Sequence, residues 1–126
     1  MKLLGGIVGA MAALMLFVSA GQVEAQAKRD RAAERAAEAT YARYVKRRLW
    51  EATAGAPTQG LTGIVHFRFV VTRSGQVRSI SLQKSSGHRF LDAVALRIID
   101  RATPFKPMPA VIKEDMTVNI PFRFTR

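Results

Sequence analysis

The residues best suited to do chemistry lie close together in the second half of the chain. Ser85, Ser86 and His88 could supply a nucleophile and its base, and Asp92 is the nearest acid. No GxSxG motif surrounds these serines, and Asp92 has a better use in the first turn of a helix, where the helix dipole favours a carboxylate. The order Ser85-Ser86-Gly87 is typical of turns and helix caps. We therefore expect a hydroxyl that caps the following helix, not an active site.

The composition excludes several other kinds of site. The chain has 126 residues and no cysteine, which excludes disulfides, thiol catalysis and thiolate metal sites. Two histidines, His66 and His88, are too few for an all-histidine zinc site, and His66 alternates outward on a predicted strand. Asp92 and Asp100 are more than two helical turns apart, too far to share a proton or a metal. We predict a non-enzymatic protein without a cofactor.

The first 27 residues have the features of an export signal. Lys2 precedes an uncharged apolar run over residues 3–18, and Ala25-Gln26-Ala27 has the small side chains that a signal peptidase requires. The sequence predicts a signal peptide over 1–27 and a periplasmic location. The alternative is an uncleaved anchor in the inner membrane, because the apolar run is at the lower limit for crossing a bilayer.

The charge is strongly positive, with 20 Lys and Arg against 9 Asp and Glu and a formal net charge of +11. Nucleic acid is not an expected partner of an exported protein. Anionic lipid, lipopolysaccharide or peptidoglycan could bind such a surface instead, which would make the chain a basic structural protein of the envelope. The other interpretation is a solvated surface with no ligand.

Hydrophobic periodicity predicts the order helix, hairpin, helix, strand. Residues 28–54 favour helix, with a polar lead-in over 28–40 and a buried stripe of Tyr41, Tyr44, Val45 and Leu49. The hairpin comprises strands near 65–71 and 76–83 joined at Gly75, and its second strand is expected to bury Ile80 and Leu82. The second helix is expected over 89–102, with Leu91, Val94, Ala95, Ile98 and Ala102 on its buried face.

The last strand has the clearest alternation in the chain. Met116, Val118, Ile120, Phe122 and Phe124 alternate with polar residues and Pro121. Because proline lacks an amide hydrogen, this strand is expected at a sheet edge, where another chain could add a strand. We expect Pro121 and Arg123 to blunt one half of the edge, and Val118→Pro to remove an edge donor. The candidate partner-binding residues are Thr117, Val118, Asn119, Ile120, Pro121, Phe122 and Arg123. The alternative is an edge that is merely protected.

A series of short motifs resembles one family when taken in order. They are Gly75-Gln76-Val77, Ser85-Ser86-Gly87, Leu91-Asp92, Ala95-Leu96, Ala102-Thr103-Pro104-Phe105 and Pro109, with Tyr41-Ala42-Arg43-Tyr44-Val45 before them and Ile120-Pro121-Phe122-Arg123-Phe124 after them. This stretch, roughly 41–124, resembles the C-terminal domain of TonB and its TolA-like relatives.

The resemblance implies an α+β domain over 41–126, with two helices packed on a three-stranded antiparallel sheet. In TonB this domain adds the box peptide of an outer-membrane transporter beside its last strand, which corresponds here to residues 117–124. The resemblance also implies a structural role for Ser85, Ser86, Gly87, Leu91, Asp92, Ala95, Leu96, Pro104, Phe105 and Pro109.

Two features differ from the TonB pattern. TonB has a long proline-rich spacer between its membrane anchor and this domain, whereas this chain has only residues 26–40 there. TonB also has a histidine in its anchor, whereas residues 1–27 contain none. A free periplasmic domain that binds a peptide of an envelope protein is therefore the first expectation. A short anchored transducer working with an inner-membrane motor complex is the alternative, and an open edge also permits a strand-swapped homodimer.

Overall fold

The structure, a computed structural model, describes the backbone of residues 2–125 and the side chains of residues 20–125. Its elements are α1 (Lys2–Thr53), β1 (Gly63–Val71), β2 (Val77–Lys84), α2 (Arg89–Ala102) and β3 (Met116–Phe124). These elements confirm the prediction of two helices and a three-stranded antiparallel sheet. The side chains of the apolar run over 3–18 lie outside the described residues, so the predicted signal peptide stays a prediction.

The chain divides into two compact units, one ending at Arg35 and the other beginning at Ala36. In the first unit the described side chains are almost all exposed on α1. The described residues include no helix with the length and apolar character needed to cross a membrane.

The second unit contains the sheet and its core. The strand order is β2-β1-β3, and both pairings are antiparallel. One face of β1 and β3 packs against the last turns of α1 and against α2. The buried side chains are Tyr41, Val45 and Leu49 of α1; Val65, Phe67, Phe69 and Val71 of β1; Leu91, Val94, Ala95, Ile98, Ile99 and Ala102 of α2; Phe105, Met108 and Ile112 of the connection; and Val118, Ile120, Phe122 and Phe124 of β3.

The prediction that β2 buries Ile80 and Leu82 is wrong. Ile80 is 43% exposed and Leu82 is 47% exposed, and no described residue of β2 is fully buried. Leu82 pairs with the buried Phe67 and so points to the helical side of the sheet. The helices pack on β1 and β3, however, and the side chains of β2 lie outside the area that the helices bury.

A second correction concerns the start of α2. The N-cap residue is His88, and its side chain makes no cap hydrogen bond. The predicted serine cap differs from expectation, because the Ser86 hydroxyl accepts from the amide of His88 itself, at 3.2 Å, and not from an amide of the first helical turn. The bounds of α2 and its predicted buried face are confirmed, and Ile99 is also buried.

Candidate functional site

The candidate site is the open edge of β3. All nine residues of β3 pair with β1 in an uninterrupted register, from Met116 opposite Val71 to Phe124 opposite Gly63. The other long side of β3 has no strand beside it in the described part of the chain. The sequence prediction that this strand lies at a sheet edge is therefore confirmed.

Pro121 determines which backbone groups face the open side. It pairs with His66 inside the continuous register, yet it has no amide hydrogen to donate to β1. Its nitrogen must therefore point away from β1, and the direction alternates along a strand. The N–H and C=O groups of Thr117, Asn119 and Arg123 face the open edge, together with the carbonyl of Pro121.

The same alternation turns the backbone groups of Val118 toward β1. Val118→Pro would therefore remove a hydrogen bond inside the sheet, and the prediction that it removes an edge donor is wrong. The sequence indicated correctly that β3 is an edge but gave no information on which residues donate inward, because that depends on the register with β1.

The side chains of the seven predicted partner-binding residues divide between two faces. Val118, Ile120 and Phe122 are buried in the core, and Phe122 makes an edge-to-face contact with Phe67 at 6.3 Å between ring centroids. The other four side chains are exposed on the opposite face, and they are Thr117, Asn119, Pro121 and Arg123. Asn119 accepts a hydrogen bond of 2.8 Å from the Arg68 Nε on β1.

A groove runs between the end of α1 and the second half of β3. Its volume is about 510 Å³. The lining residues are Lys46, Leu49, Trp50, Thr53, Gly55, Ala56, Thr58 and residues 120–125. Sequence reasoning expected this half of the edge to be blunted and missed Trp50. A tryptophan next to the buried Leu49 but off the apolar stripe was the available signal.

The Ser85-Ser86-Gly87 motif holds the end of β2 to the start of α2. Both serine hydroxyls donate to the Asp92 carboxylate, Ser86 at 2.7 Å, and the Ser86 amide donates to it at 2.9 Å. Burial acts to raise the pKa of Asp92, but these hydrogen bonds and the nearby His88 outweigh it and lower the pKa. The hydrogen bonds of His88 involve its backbone atoms. This cluster has a structural role.

The Gly75 and Phe105 motifs meet across the hairpin turn. Gly75 has φ +92°, and a Cβ there would lie 2.1 Å from the carbonyl oxygen of Phe105. The Phe105 amide donates to the Gly75 carbonyl at 2.9 Å. A glycine is therefore required at position 75 by the close backbone approach as well as by its φ.

The other motif residues differ in burial. Leu91 and Ala95 are buried, whereas Leu96, Pro104 and Pro109 are exposed.

The first-helix motif is held to the connection that follows α2. The Tyr41 hydroxyl donates to the Lys106 carbonyl at 2.7 Å, and the Lys106 amide donates to the Tyr44 hydroxyl at 2.9 Å. Burial, together with the neighbouring Tyr44, raises the pKa of Tyr41 to about 12. Tyr41 therefore remains a neutral donor at physiological pH.

The residues with described side chains contain no group of three or more potential metal ligands.

Comparisons with known proteins agree with this geometry. Residues 54–125 match the family model described as Gram-negative bacterial TonB protein C-terminal. The protein TonB of Pasteurella multocida (strain Pm70) is 33% identical over 63 residues, which is 50% of this chain and 25% of that protein. The match thus spans about a quarter of that relative's length.

The fold also resembles a solved structure. The solution structure of the Helicobacter pylori TonB C-terminal domain has a TM-score of 0.52 and 24% identity, and the match covers 65% of this chain and 77% of that one. TonB C-terminal domains are periplasmic and non-enzymatic, which confirms the prediction that this chain is not an enzyme. The family model matches more than half of the residues of this chain, so the chain belongs to the TonB C-terminal domain family.

Proposed function

We propose that this chain binds an extended segment of an outer-membrane or other envelope protein by adding it as a strand to β3, in TonB-dependent transport. The observation that carries the proposal is the open edge of β3, whose outward backbone groups follow a regular alternation. In strand addition, main-chain hydrogen bonds supply affinity and alternate side chains supply selectivity.

The backbone of β3 offers a defined set of partners to an added strand. Thr117, Asn119 and Arg123 each present one donor and one acceptor, and Pro121 presents an acceptor alone. Because the pairing with β1 has no register shift, the outward groups of β3 alternate without interruption along the strand. Membership of the TonB family supports an outer-membrane receptor as the protein that supplies the segment.

The location and the domain limits belong to the same proposal. We infer a signal peptide at 1–27, a polar helical lead-in at 28–40 and a TonB-like domain at 41–126 that works in the periplasm. The apolar run over 3–18 supports the alternative of an anchored transducer that couples an inner-membrane motor to outer-membrane transporters. The intact mass of the native protein and its location after cell fractionation distinguish the two, since an anchored form keeps residues 1–27 and sediments with membranes.

A matched pair of variants tests strand addition. Peptides are selected on the full chain from a displayed library of random ten-residue sequences without tryptophan, and the strongest binder is synthesised. Thr117→Pro removes one outward donor and should weaken binding about tenfold or more, because one hydrogen bond is lost and the proline ring clashes with an added strand. Thr117→Ala keeps the amide and should bind within about twofold of the parent, since an exposed side chain adds little.

Two results would contradict strand addition at β3. If folded Thr117→Pro binds the peptide as the parent chain does, or if the library yields no binder, β3 does not receive a strand. A binder whose affinity collapses as salt rises, regardless of the Thr117 substitution, would favour the basic surface as the binding site instead.

A further inference from the structure

The groove beside β3 is built from one face of α1 and the second half of the strand. Lys46, Leu49, Trp50 and Thr53 follow the helical spacing that places them on one side of α1. Opposite them lie residues 120–125. The volume of about 510 Å³ is within the range of sites that hold several side chains or a small molecule.

Trp50 is the feature of this groove that the fold itself does not use. Its side chain is 77% exposed, more than any other large hydrophobic residue whose side chain the structure describes. The neighbouring Leu49 is buried and already anchors this turn of α1 to the core. Tryptophan side chains bury a large apolar area when covered and are enriched among the residues that dominate binding energy. An exposed Trp50 beside an open strand edge therefore indicates a contact with the partner.

The charge of the groove restricts what can cover it. Lys46 and Arg123 are the charged residues of its described lining, and no acid lies among them. The side chain of Arg123 lies on the opposite face of the sheet, so Lys46 is the base that faces the groove from α1. The nearest acid in sequence on this part of α1 is Glu51, which is paired with Arg47 at 3.9 Å and with Arg48 at 3.7 Å. An acidic segment is favoured here, and a basic one is repelled.

An added strand would bring its side chains to this groove in alternation. Every second side chain of the strand would lie on the same side of the sheet as Ile120 and Phe122, toward α1. The first half of β3 would then pair with the backbone of the added segment, and the groove beside the second half would contact the side chains of that segment. Selectivity would be concentrated at the end of the segment that passes Pro121 and Arg123.

We infer that the segment added to β3 carries a large apolar side chain that packs on Trp50 and an acidic side chain that faces Lys46, so that Trp50 and Lys46 select the partner. This inference rests on the proposed strand addition and names the chemistry of its ligand. The occupant is an extended apolar and acidic segment of another protein.

The sole tryptophan of the chain makes the test specific, because Trp50 fluorescence reports this groove alone when the peptide has no tryptophan. The probe is the peptide selected on the full chain. We expect its binding to shift Trp50 emission to shorter wavelength, and Trp50→Ala to weaken binding about tenfold or more. The matched control is Leu96→Ala, which truncates a 44% exposed side chain on α2 and should leave affinity unchanged.

Changes in the peptide complete the test. Replacing its largest apolar residue by serine should weaken binding to the parent chain and have little effect with Trp50→Ala. Replacing its acid by lysine should weaken binding to the parent, and Lys46→Glu should restore it. Both protein positions are exposed on a helix, so circular dichroism of each variant should match that of the parent.

The failure of this inference is distinguishable from the failure of strand addition. If Trp50→Ala binds as tightly as the parent and Trp50 emission does not shift, while Thr117→Pro still loses binding, the groove does not select the partner but the edge receives it. If neither Trp50→Ala nor Thr117→Pro affects binding, both are wrong.

Discussion

The two outer strands of the sheet, β2 and β3, pair with the same central strand in different ways. The whole of β3 follows β1 without interruption. The register of β2 shifts twice, between His66 and Phe67 and between Arg68 and Val70 of β1. At the second shift Ser79 has φ +56°, a left-handed conformation uncommon for a residue with a side chain. One outer strand is therefore regular and the other is bulged.

This difference indicates which edge can receive a partner. Bulges twist an edge and break the spacing of its free backbone groups, and charged side chains discourage a second strand. β2 has both features, since Arg78 and Lys84 are exposed on it. β3 has no bulge, although Pro121 removes one donor and Arg123 is exposed in its second half, so the spacing of its outward groups stays intact. Of the two edges, β3 therefore has the backbone better suited to the proposed strand addition.

The two strands are also held in place differently. Four side chains of β3 are buried, so that strand is held by the core. β2 is held at its start, where the Gly75 turn contacts Phe105 and where Asp115 accepts from the Arg73 amide at 3.0 Å and from Arg78 at 2.9 Å. At its far end, Ser85 and Ser86 donate to Asp92. Packing stabilises one edge, and backbone and polar contacts stabilise the other.

Truncating one apolar side chain on each strand should give the largest contrast. Phe122→Ala removes a ring that is 4% exposed and should lower the free energy of unfolding by about 3–5 kcal/mol. Leu82→Ala removes a half-exposed side chain and should cost about 1 kcal/mol or less. Denaturant unfolding of both variants measures the difference. Equal losses would show that β2 is as well packed as β3.

Two glycines that share a left-handed conformation test whether β2 is held by its turn. Gly75→Ala forces a Cβ against the Phe105 backbone, whereas a Cβ at Gly60, with φ +74°, meets nothing within 4 Å. Gly60→Ala should cost about 1–2 kcal/mol from backbone strain alone, and Gly75→Ala should cost more. Thermal or denaturant unfolding decides the order. A smaller loss of unfolding free energy for Gly75→Ala than for Gly60→Ala would mean that the Gly75 turn does not hold β2 in place.

The smallest effect is expected at the far end of β2, from the Asp92 cluster. Because hydrogen bonding lowers the pKa of Asp92 in the folded chain, its carboxylate stabilises the fold above the unfolded-state pKa of about 3.9. That stabilisation is lost as pH falls through the folded-state pKa. Asp92→Asn should therefore be less stable than the parent at pH 7, and the gap should narrow at pH 3. A gap that does not change with pH would show that the charge of Asp92 does not matter.

The regular half of this molecule could be predicted from the sequence, and the irregular half could not. Alternation over 116–124 and the amphipathic pattern over 89–102 predicted β3 and α2, because a single face of each is buried. The same logic placed Ile80 and Leu82 in the core and failed. Alternation shows which side chains share a face but not whether a neighbouring layer covers that face.

For the candidate site, the sequence predicted the strand edge but neither the direction of its backbone groups nor the groove beside it. Pro121 indicated an edge from chemistry local to one residue. The inward direction of Val118 and the position of Trp50 opposite residues 120–125 depend on contacts between distant parts of the chain. The register and the groove therefore required the structure.

Amide hydrogen exchange, followed by NMR on the full chain with and without the selected peptide, tests strand addition at β3 most directly. In the free chain the amides of Val118 and Ile120 should exchange slowly, because they donate to β1, and those of Thr117, Asn119 and Arg123 should exchange fast. With the peptide bound, Thr117, Asn119 and Arg123 should become protected, whereas the amides of β2 should not change. Protection that appears along β2, or none at these three residues, would contradict strand addition at β3.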